Sequence, residues 1–367
     1  MSTRAGIEQL ATAASDLLGL DDTWSRQPSS ESATILQASA GEVLLAIHTF
    51  DAYVELMATA PTIGLDRARI AQLIEQLTDA VADPERARTR RELASPDALT
   101  DATAKSQAQR LFADAQLSLT REAALRLVVR SIDLTTLAGD DTPGRVRALC
   151  ARALQPDPTD PTVGPCAAVC VYPNLVSTAA RLLAGSTTTV ASVAGAFPSG
   201  LSSLDVRLRD IATAADAGAD EIDVVLNRSA FLAGNEALVL SELQAMRSQI
   251  GNRIMKVILE TGELQTATAI RRAATLAIEA GADWIKTSTG KSNVGATPLA
   301  VFAMAQTIAR HDAPIGLKVS GGVRTSEDAL GYLAILEAVL GPDVLTSDRV
   351  RFGASGMLGA VVTDLMS

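Results

Sequence analysis

Residues 267–288 read ATAIRRAATLAIEAGADWIKTS, and the order of residue types in this stretch decides the fold. Ala267–Ala280 places apolar residues at three- and four-residue steps, the period of a helix with one buried face. Gly281-Ala282-Asp283 breaks that period, and Trp284–Ser288 follows as a short β-rich run. The same unit occurs upstream, where the amphipathic Leu204–Ala217 passes through Gly218-Ala219-Asp220 into Glu221–Asn227. Working outward from these two units gives eight runs: Ser131–Leu137, Ala167–Tyr172, Thr188–Ala196, Glu221–Asn227, Ile254–Thr261, Trp284–Ser288, Ile315–Val319 and Val350–Gly353. Helical segments separate them, among them Glu236–Ile250, Ala300–Ala309 and Ser326–Val339, and Met357–Met366 supplies the last. Eight strand–helix units in about 245 residues predict a (β/α)8 or TIM barrel. An open doubly wound sheet is the competitor, but no Gly-x-Gly-x-x-Gly follows the first run.

Residues 1–117 differ in kind and are predicted to form an α-helical N-terminal extension of unassigned role, ahead of a barrel domain at 118–367. Glu42–Ala58 and Arg67–Ala82 carry helical spacing. Gln27-Pro28-Ser29-Ser30, Ala60-Pro61, the charged run Asp83–Glu92 and Ser95-Pro96 interrupt it. Its apolar faces need cover, from the barrel's own helices or from a second subunit, so a homo-oligomer is one expectation.

The whole chain is 47% hydrophobic but only 3% aromatic, which describes a core of Ala, Val, Leu and Ile. A net charge of −10 argues against nucleic acid or an anionic membrane as partner, so an anionic ligand needs a local basic pocket. The first twenty residues do not read as a signal peptide, and no apolar run approaches a membrane span. Cys150, Cys166 and Cys170 lack metal spacing and suit reduced thiols in a cytoplasmic setting. The only histidines, His48 and His311, read as lying in dissimilar helical contexts, so neither a zinc site nor a histidine base is expected.

Lysine use is the chemical clue. The chain holds five lysines among 32 basic residues, and Lys256, Lys286, Lys291 and Lys318 fall in one stretch. Arginine keeps its proton near neutrality, whereas a lysine against apolar walls or another cation becomes a free amine. Asp133, Asp223, Lys256, Lys286 and Lys318 lie in predicted strands one, four, five, six and seven, and a barrel presents reactive groups at the carboxyl ends of its strands. Three lysines outnumber two acids, so one lysine is expected to lose its proton readily and to attack carbonyl carbon. The alternative is a buried ion-pair network that only holds strands in register. Cys166 and Cys170 flank the second run, and four-residue spacing on a strand would put both on one face. Small packing residues is the simpler reading, with Cys170 near the strand end lining the pocket.

Three glycine-rich segments follow strands six, seven and eight: Gly290-Lys291, Gly321-Gly322-Val323-Arg324-Thr325 and Gly353-Ala354-Ser355-Gly356. Glycine lets backbone N–H groups approach an anion, and this architecture commonly binds phosphate after strands seven and eight. Residues alone leave open an aldolase on a ketose phosphate, or a sugar-phosphate-binding scaffold without catalysis.

In order, Ile132–Leu137, Cys170–Pro173, Phe197–Gly200, Glu221–Val225, Glu260–Leu264, Ile285–Lys291, Lys318–Arg324 and Phe352–Ser355 resemble the deoxyribose-phosphate aldolase family of class I aldolases, over roughly residues 120–367. Asp140-Asp141-Thr142 makes the longer, eukaryote-like branch the nearest match. The resemblance implies that Lys286 forms a Schiff base, that Lys318 is the ammonium lowering its pKa, and that Asp223 moves protons with a water. Asp133, Lys256 and Cys170 would complete the pocket, while Gly290, Lys291, Gly321, Gly322, Val323, Arg324, Gly353, Ser355 and Gly356 would hold phosphate. It implies no metal and no cofactor, and cleavage of 2-deoxy-D-ribose 5-phosphate to glyceraldehyde 3-phosphate and acetaldehyde in deoxynucleoside catabolism. Some members end in a tyrosine that serves proton transfer; this sequence ends Asp364-Leu365-Met366-Ser367, so another group would serve that step or it would be slower.

Overall fold

The computed structural model describes residues 25–27, 33–40, 43–50, 54–59, 93 and 100–366 except 312–313. The chain divides into two compact units, 1–92 and 93–367. In the first, Ser25–Gln27, Ala33–Ala40, Val43–Phe50 and Val54–Thr59 form an antiparallel sheet in chain order. Most of Glu42–Ala58, expected to be helical, is therefore two strands, and His48 lies on the first of them. Short apolar runs satisfy helical and extended periods alike, and here the β-branched Val43, Ile47, Thr49 and Val54 favour the extended form. Arg67–Ala82 and the charged run at 83–92 lie outside the described residues.

In the second unit the helix Asp101–Asp114 packs on the helices Pro298–Ile308 and Ser326–Leu340. It buries Ala104 and Ala108, and Phe112 meets Tyr332 edge to face at 4.9 Å. The boundary thus falls at residue 92/93, not at 117. Amphipathic spacing shows that a helix has a buried face but not which surface covers it, and here that surface belongs to the second unit.

Eight parallel strands close a barrel in chain order: β1 Ile132–Thr135, β2 Ala168–Val171, β3 Thr189–Ala194, β4 Glu221–Val225, β5 Ile254–Ile258, β6 Trp284–Lys286, β7 Gly316–Ser320 and β8 Val350–Ala354. All eight lie within the predicted runs to within one residue, and several are shorter where the chain leaves the ladder for a loop. Met357–Leu365 is the last helix. Alternation sends Ile132, Leu134, Val169, Ile222, Val257, Leu317 and Val319 into the main apolar core with the helices. The opposite set faces the barrel axis. One wall of that interior is small and apolar, built from Ala168, Cys170, Ala191 and Val193 with Leu137.

Register places the charged residues side by side. Lys286 on β6 pairs with Lys318 on β7, and Asp223 on β4 pairs with Lys256 on β5. Lys318 is also in register with Arg351 on β8, and Asp133 on β1 with Gly353. Paired residues of neighbouring strands share a face, so the whole set projects inward together.

Candidate active site

Asp223 is the hub of the interior. Its Oδ2 accepts from Lys286 Nζ at 2.7 Å and from Lys318 Nζ at 2.8 Å, and its Oδ1 accepts from Lys256 Nζ at 3.0 Å. Asp133 Oδ2 lies 2.5 Å from Lys318 Nζ and 3.5 Å from Lys256 Nζ. All five of the expected charged residues are thus brought into one buried cluster. Two members were not foreseen. Glu221 pairs with Lys256, and Arg351 donates to Asp133 Oδ1 at 2.8 Å. The cluster therefore holds four cations against three carboxylates. Any one of these charges left unpaired would cost several kcal/mol at this depth.

The surplus is not shared evenly. Lys256 contacts Asp223, Glu221 and Asp133, and Lys318 contacts Asp133 and Asp223. Among the described residues Lys286 has one carboxylate oxygen, and Lys318 competes for it. Burial depresses the Lys286 pKa, Asp223 pulls it back up, and the adjacent Lys318 ammonium lowers it again, so the net direction is down. Burial acts on Lys318 too, but Asp133 and Asp223 overcome it and hold that ammonium well above its ordinary value. Burial opposes ionisation of Asp223, yet Lys256, Lys286 and Lys318 keep its carboxyl well below the usual range. One neutral-prone amine beside a fixed ammonium and a fixed carboxylate is the chemical content of the site.

Cys170 lies on the apolar wall next to these groups, and burial raises its thiol, so it contributes shape rather than a thiolate. Cys166 does not share its face: β2 begins at Ala168, and Cys166 sits in the outer core. The four-residue spacing was correct only for an extended segment, and the chain is not in the ladder there.

The loops after β6 and β7 touch. A side chain at Gly321, which has φ 80°, would meet the backbone of Gly295 at 3.0 Å and of Gly290 at 3.6 Å, and Gly322 follows with φ 85°. Lys291 Nζ donates to the Leu137 carbonyl, after β1, at 2.6 Å. Gly290, Gly322, Arg324, Ser355 and Gly356 are exposed, with Gly356 capping the last helix and Val323 buried. The amides of Arg324 and Thr325 are committed to Asp328 Oδ2 at 3.0 Å each, in a capping box. Gly353 belongs to the lysine cluster as much as to a loop: a Cβ there would fall 3.2 Å from Lys318 Cε and 2.8 Å from Ser320 Oγ.

Glu260 was also not anticipated. It is buried with φ 54°, and its carboxylate accepts from Thr289 Oγ1 at 2.5 Å and Ser292 Oγ at 2.9 Å. A left-handed non-glycine residue costs about 1–3 kcal/mol, and such strain persists only where surrounding contacts fix it. Here those contacts brace the turn that carries Lys291.

Fold and cluster together define a barrel aldolase. The chain belongs to the DeoC/LacD family of aldolases, whose model matches residues 127–338. It is 40% identical over 253 residues to the deoxyribose-phosphate aldolases of Homo sapiens and of Mus musculus, covering 65% of this chain and 80% of each of those proteins. Among solved structures it is similar to a deoxyribose phosphate aldolase from Aeropyrum pernix, described as a tetramer of unique structure. That likeness has a TM-score of 0.54 and 26% identity over 71% of this chain and 97% of that one.

Proposed function

We propose that this chain is a class I aldolase that reversibly cleaves 2-deoxy-D-ribose 5-phosphate to D-glyceraldehyde 3-phosphate and acetaldehyde, with Lys286 as the Schiff-base lysine. The observation that carries the assignment is the sharing of one Asp223 oxygen by Lys286 and Lys318, within a cluster one positive charge in excess. The activity is the one named for the human and mouse relatives.

The free Lys286 amine adds to the C1 carbonyl, and loss of water leaves an iminium. The C2–C3 bond then breaks. Its electrons pass to the iminium to give an enamine, while the C3 hydroxyl gives up its proton and becomes the aldehyde of glyceraldehyde 3-phosphate. Asp223, with a water, takes that proton. Protonation of the enamine at C2 and hydrolysis of the imine release acetaldehyde. Lys318 stays charged throughout, lowers the Lys286 pKa and disfavours a second cation beside it. Lys256 and Asp133 hold Asp223 and Lys318 in place, and Cys170 packs beside the reacting carbon. Lys291 releases Leu137 to meet the phosphate together with Gly290, Gly321–Arg324 and Gly353–Gly356. Deoxynucleoside catabolism and a cytosolic location belong to the same reading, in line with the free, buried Cys150, Cys166 and Cys170.

Borohydride with acetaldehyde tests the assignment. A reduced two-carbon adduct at Lys286 with loss of activity is expected, and Lys286→Arg is expected to be inactive because a guanidinium does not serve as the nucleophile. Labelling confined to Lys105 or the amino terminus, with activity intact, overturns it.

A further inference from the structure

Glu221 and Arg351 take no part in the reaction proposed above, yet both are buried inside the barrel. Glu221 lies two residues before Asp223 on β4 and points the same way, nearer the amino-terminal ends of the strands. Its Oε2 pairs with Lys256; its Oε1 accepts from Thr189 Oγ1 at 2.8 Å and lies 3.5 Å from the Arg351 guanidinium. Arg351 in turn holds Asp133, donates from Nε to the Ser347 carbonyl at 2.7 Å, and lies 5.2 Å from the Trp284 ring centroid. Ion pairs lead from this pair to the amine by two routes, through Lys256 and Asp223 and through Asp133, Lys318 and Asp223.

We infer that Glu221 and Arg351 are positioning residues that fix the net charge of the interior and thereby set the pH at which the Lys286 amine becomes free. This rests on the reading of Lys286 as the Schiff-base lysine. With every group charged, Lys256, Lys286, Lys318 and Arg351 outnumber Asp133, Glu221 and Asp223 by one. A surplus charge in a desolvated volume is relieved by loss of one proton. Arg351 does not supply it, because guanidinium keeps its proton. Lys256 has three carboxylate partners and Lys318 has two, so the proton leaves Lys286. The groups that face Lys286 are Asp223 from β4, Lys318 from β7 and Cys170 from β2, with Lys256 of β5 and Asp133 of β1 behind them. The three lysines and two aspartates alone leave a surplus of one; Glu221 would cancel it and Arg351 restores it.

The two residues therefore act with opposite signs. Glu221→Gln removes a negative charge, raises the surplus to two, and frees the amine at lower pH. Arg351→Met removes the surplus, and the amine stays protonated to higher pH. A unit charge lost three ion pairs from the amine (Glu221) or four (Arg351) along these routes, at an effective dielectric near 20, moves such a midpoint by about one pH unit. The measurement is the pH midpoint of borohydride trapping by acetaldehyde in the full-length protein, for wild type, Glu221→Gln, Arg351→Met and the charge-preserving Arg351→Lys. Midpoints displaced down, up and back toward wild type, in that order, are the expected result. A purely structural role lowers the amount of trappable enzyme without moving midpoints in opposite directions. If Arg351→Met does not fold, Glu221→Gln decides alone: an unmoved or raised midpoint overturns the inference. Failure of the wild type itself to trap at Lys286 is a different outcome, which refutes the Schiff-base assignment as well.

Discussion

Gly353→Ala separates two roles for a glycine that sequence reasoning placed in a phosphate loop. The new Cβ would sit 2.8 Å from Ser320 Oγ, 3.1 Å from Ser320 Cβ and 3.2 Å from Lys318 Cε. Carbon atoms in contact normally lie about 3.5–4.0 Å apart, so the Lys318 stem must yield by roughly half an ångström. Overpacking a close-packed site by one methyl costs about 1–3 kcal/mol, partly offset by about 0.4–1 kcal/mol from a stiffer unfolded chain. The melting temperature should therefore fall by a few degrees. The functional effect comes through Lys318. Lys318 Nζ bridges Asp133 and Asp223 at 2.5 and 2.8 Å, and a displaced bridge weakens the repulsion that helps lower the Lys286 pKa. A misplacement of about 1 Å can cost about a hundredfold, so roughly tenfold slower imine formation is expected for half that shift. The assay is borohydride inactivation with acetaldehyde, which carries no phosphate. A variant that traps acetaldehyde at the wild-type rate but has a raised KM for deoxyribose 5-phosphate would refute the steric argument and return Gly353 to the anion site alone.

Glu260→Ala should raise KM for the phosphorylated substrate by about tenfold while leaving kcat/KM for free 2-deoxyribose within about twofold, because the carboxylate braces Thr289 and Ser292 beside Lys291; equal losses on both substrates would remove it from the anion site. Exhaustive chelation should leave the rate unchanged, since lysine and arginine already occupy the interior carboxylates; activity lost and then restored by zinc would count against this. Deleting residues 1–92 should preserve acetaldehyde trapping, whereas deleting residues 1–115 should lower melting temperature and solubility by baring the surface that Ala104, Ala108 and Phe112 cover. Identical melting curves for the two truncations would contradict the placement of the helix Asp101–Asp114.

The barrel was legible because each strand is a short β-rich run between longer segments of a different period, a signal that needs no tertiary context. Lys286, Lys318 and Asp223 were legible for a related reason: a charge inside an apolar strand is anomalous wherever the strand goes. Glu221 and Arg351 lie in predicted runs too, but at or next to their starts, where a charge is ordinary. Glu221 follows Gly218-Ala219-Asp220 directly and reads as the polar edge of a turn, and Arg351 follows Asp348-Arg349-Val350 like a surface residue. Only ring closure brings β8 back to β1 and makes that arginine an interior group. Glu260 escaped because nothing in Leu259-Glu260-Thr261-Gly262 announces a left-handed glutamate. The strands within residues 25–59 were missed where short apolar runs fit two periods at once.

The cluster draws Asp133 from the first strand and Arg351 from the last, and these strands meet only when the ring closes. During synthesis the lysines of β5, β6 and β7 exist before Arg351 does. A chain lacking β8 has no arginine at this place, and its solvated lysines are mostly protonated and react only slowly with aldehydes. On the proposed reading, the Lys286 amine meets its full set of charged neighbours only once β8 has paired with β1. The rate at which Lys286 becomes trappable by acetaldehyde during refolding would then report the pairing of β8 with β1.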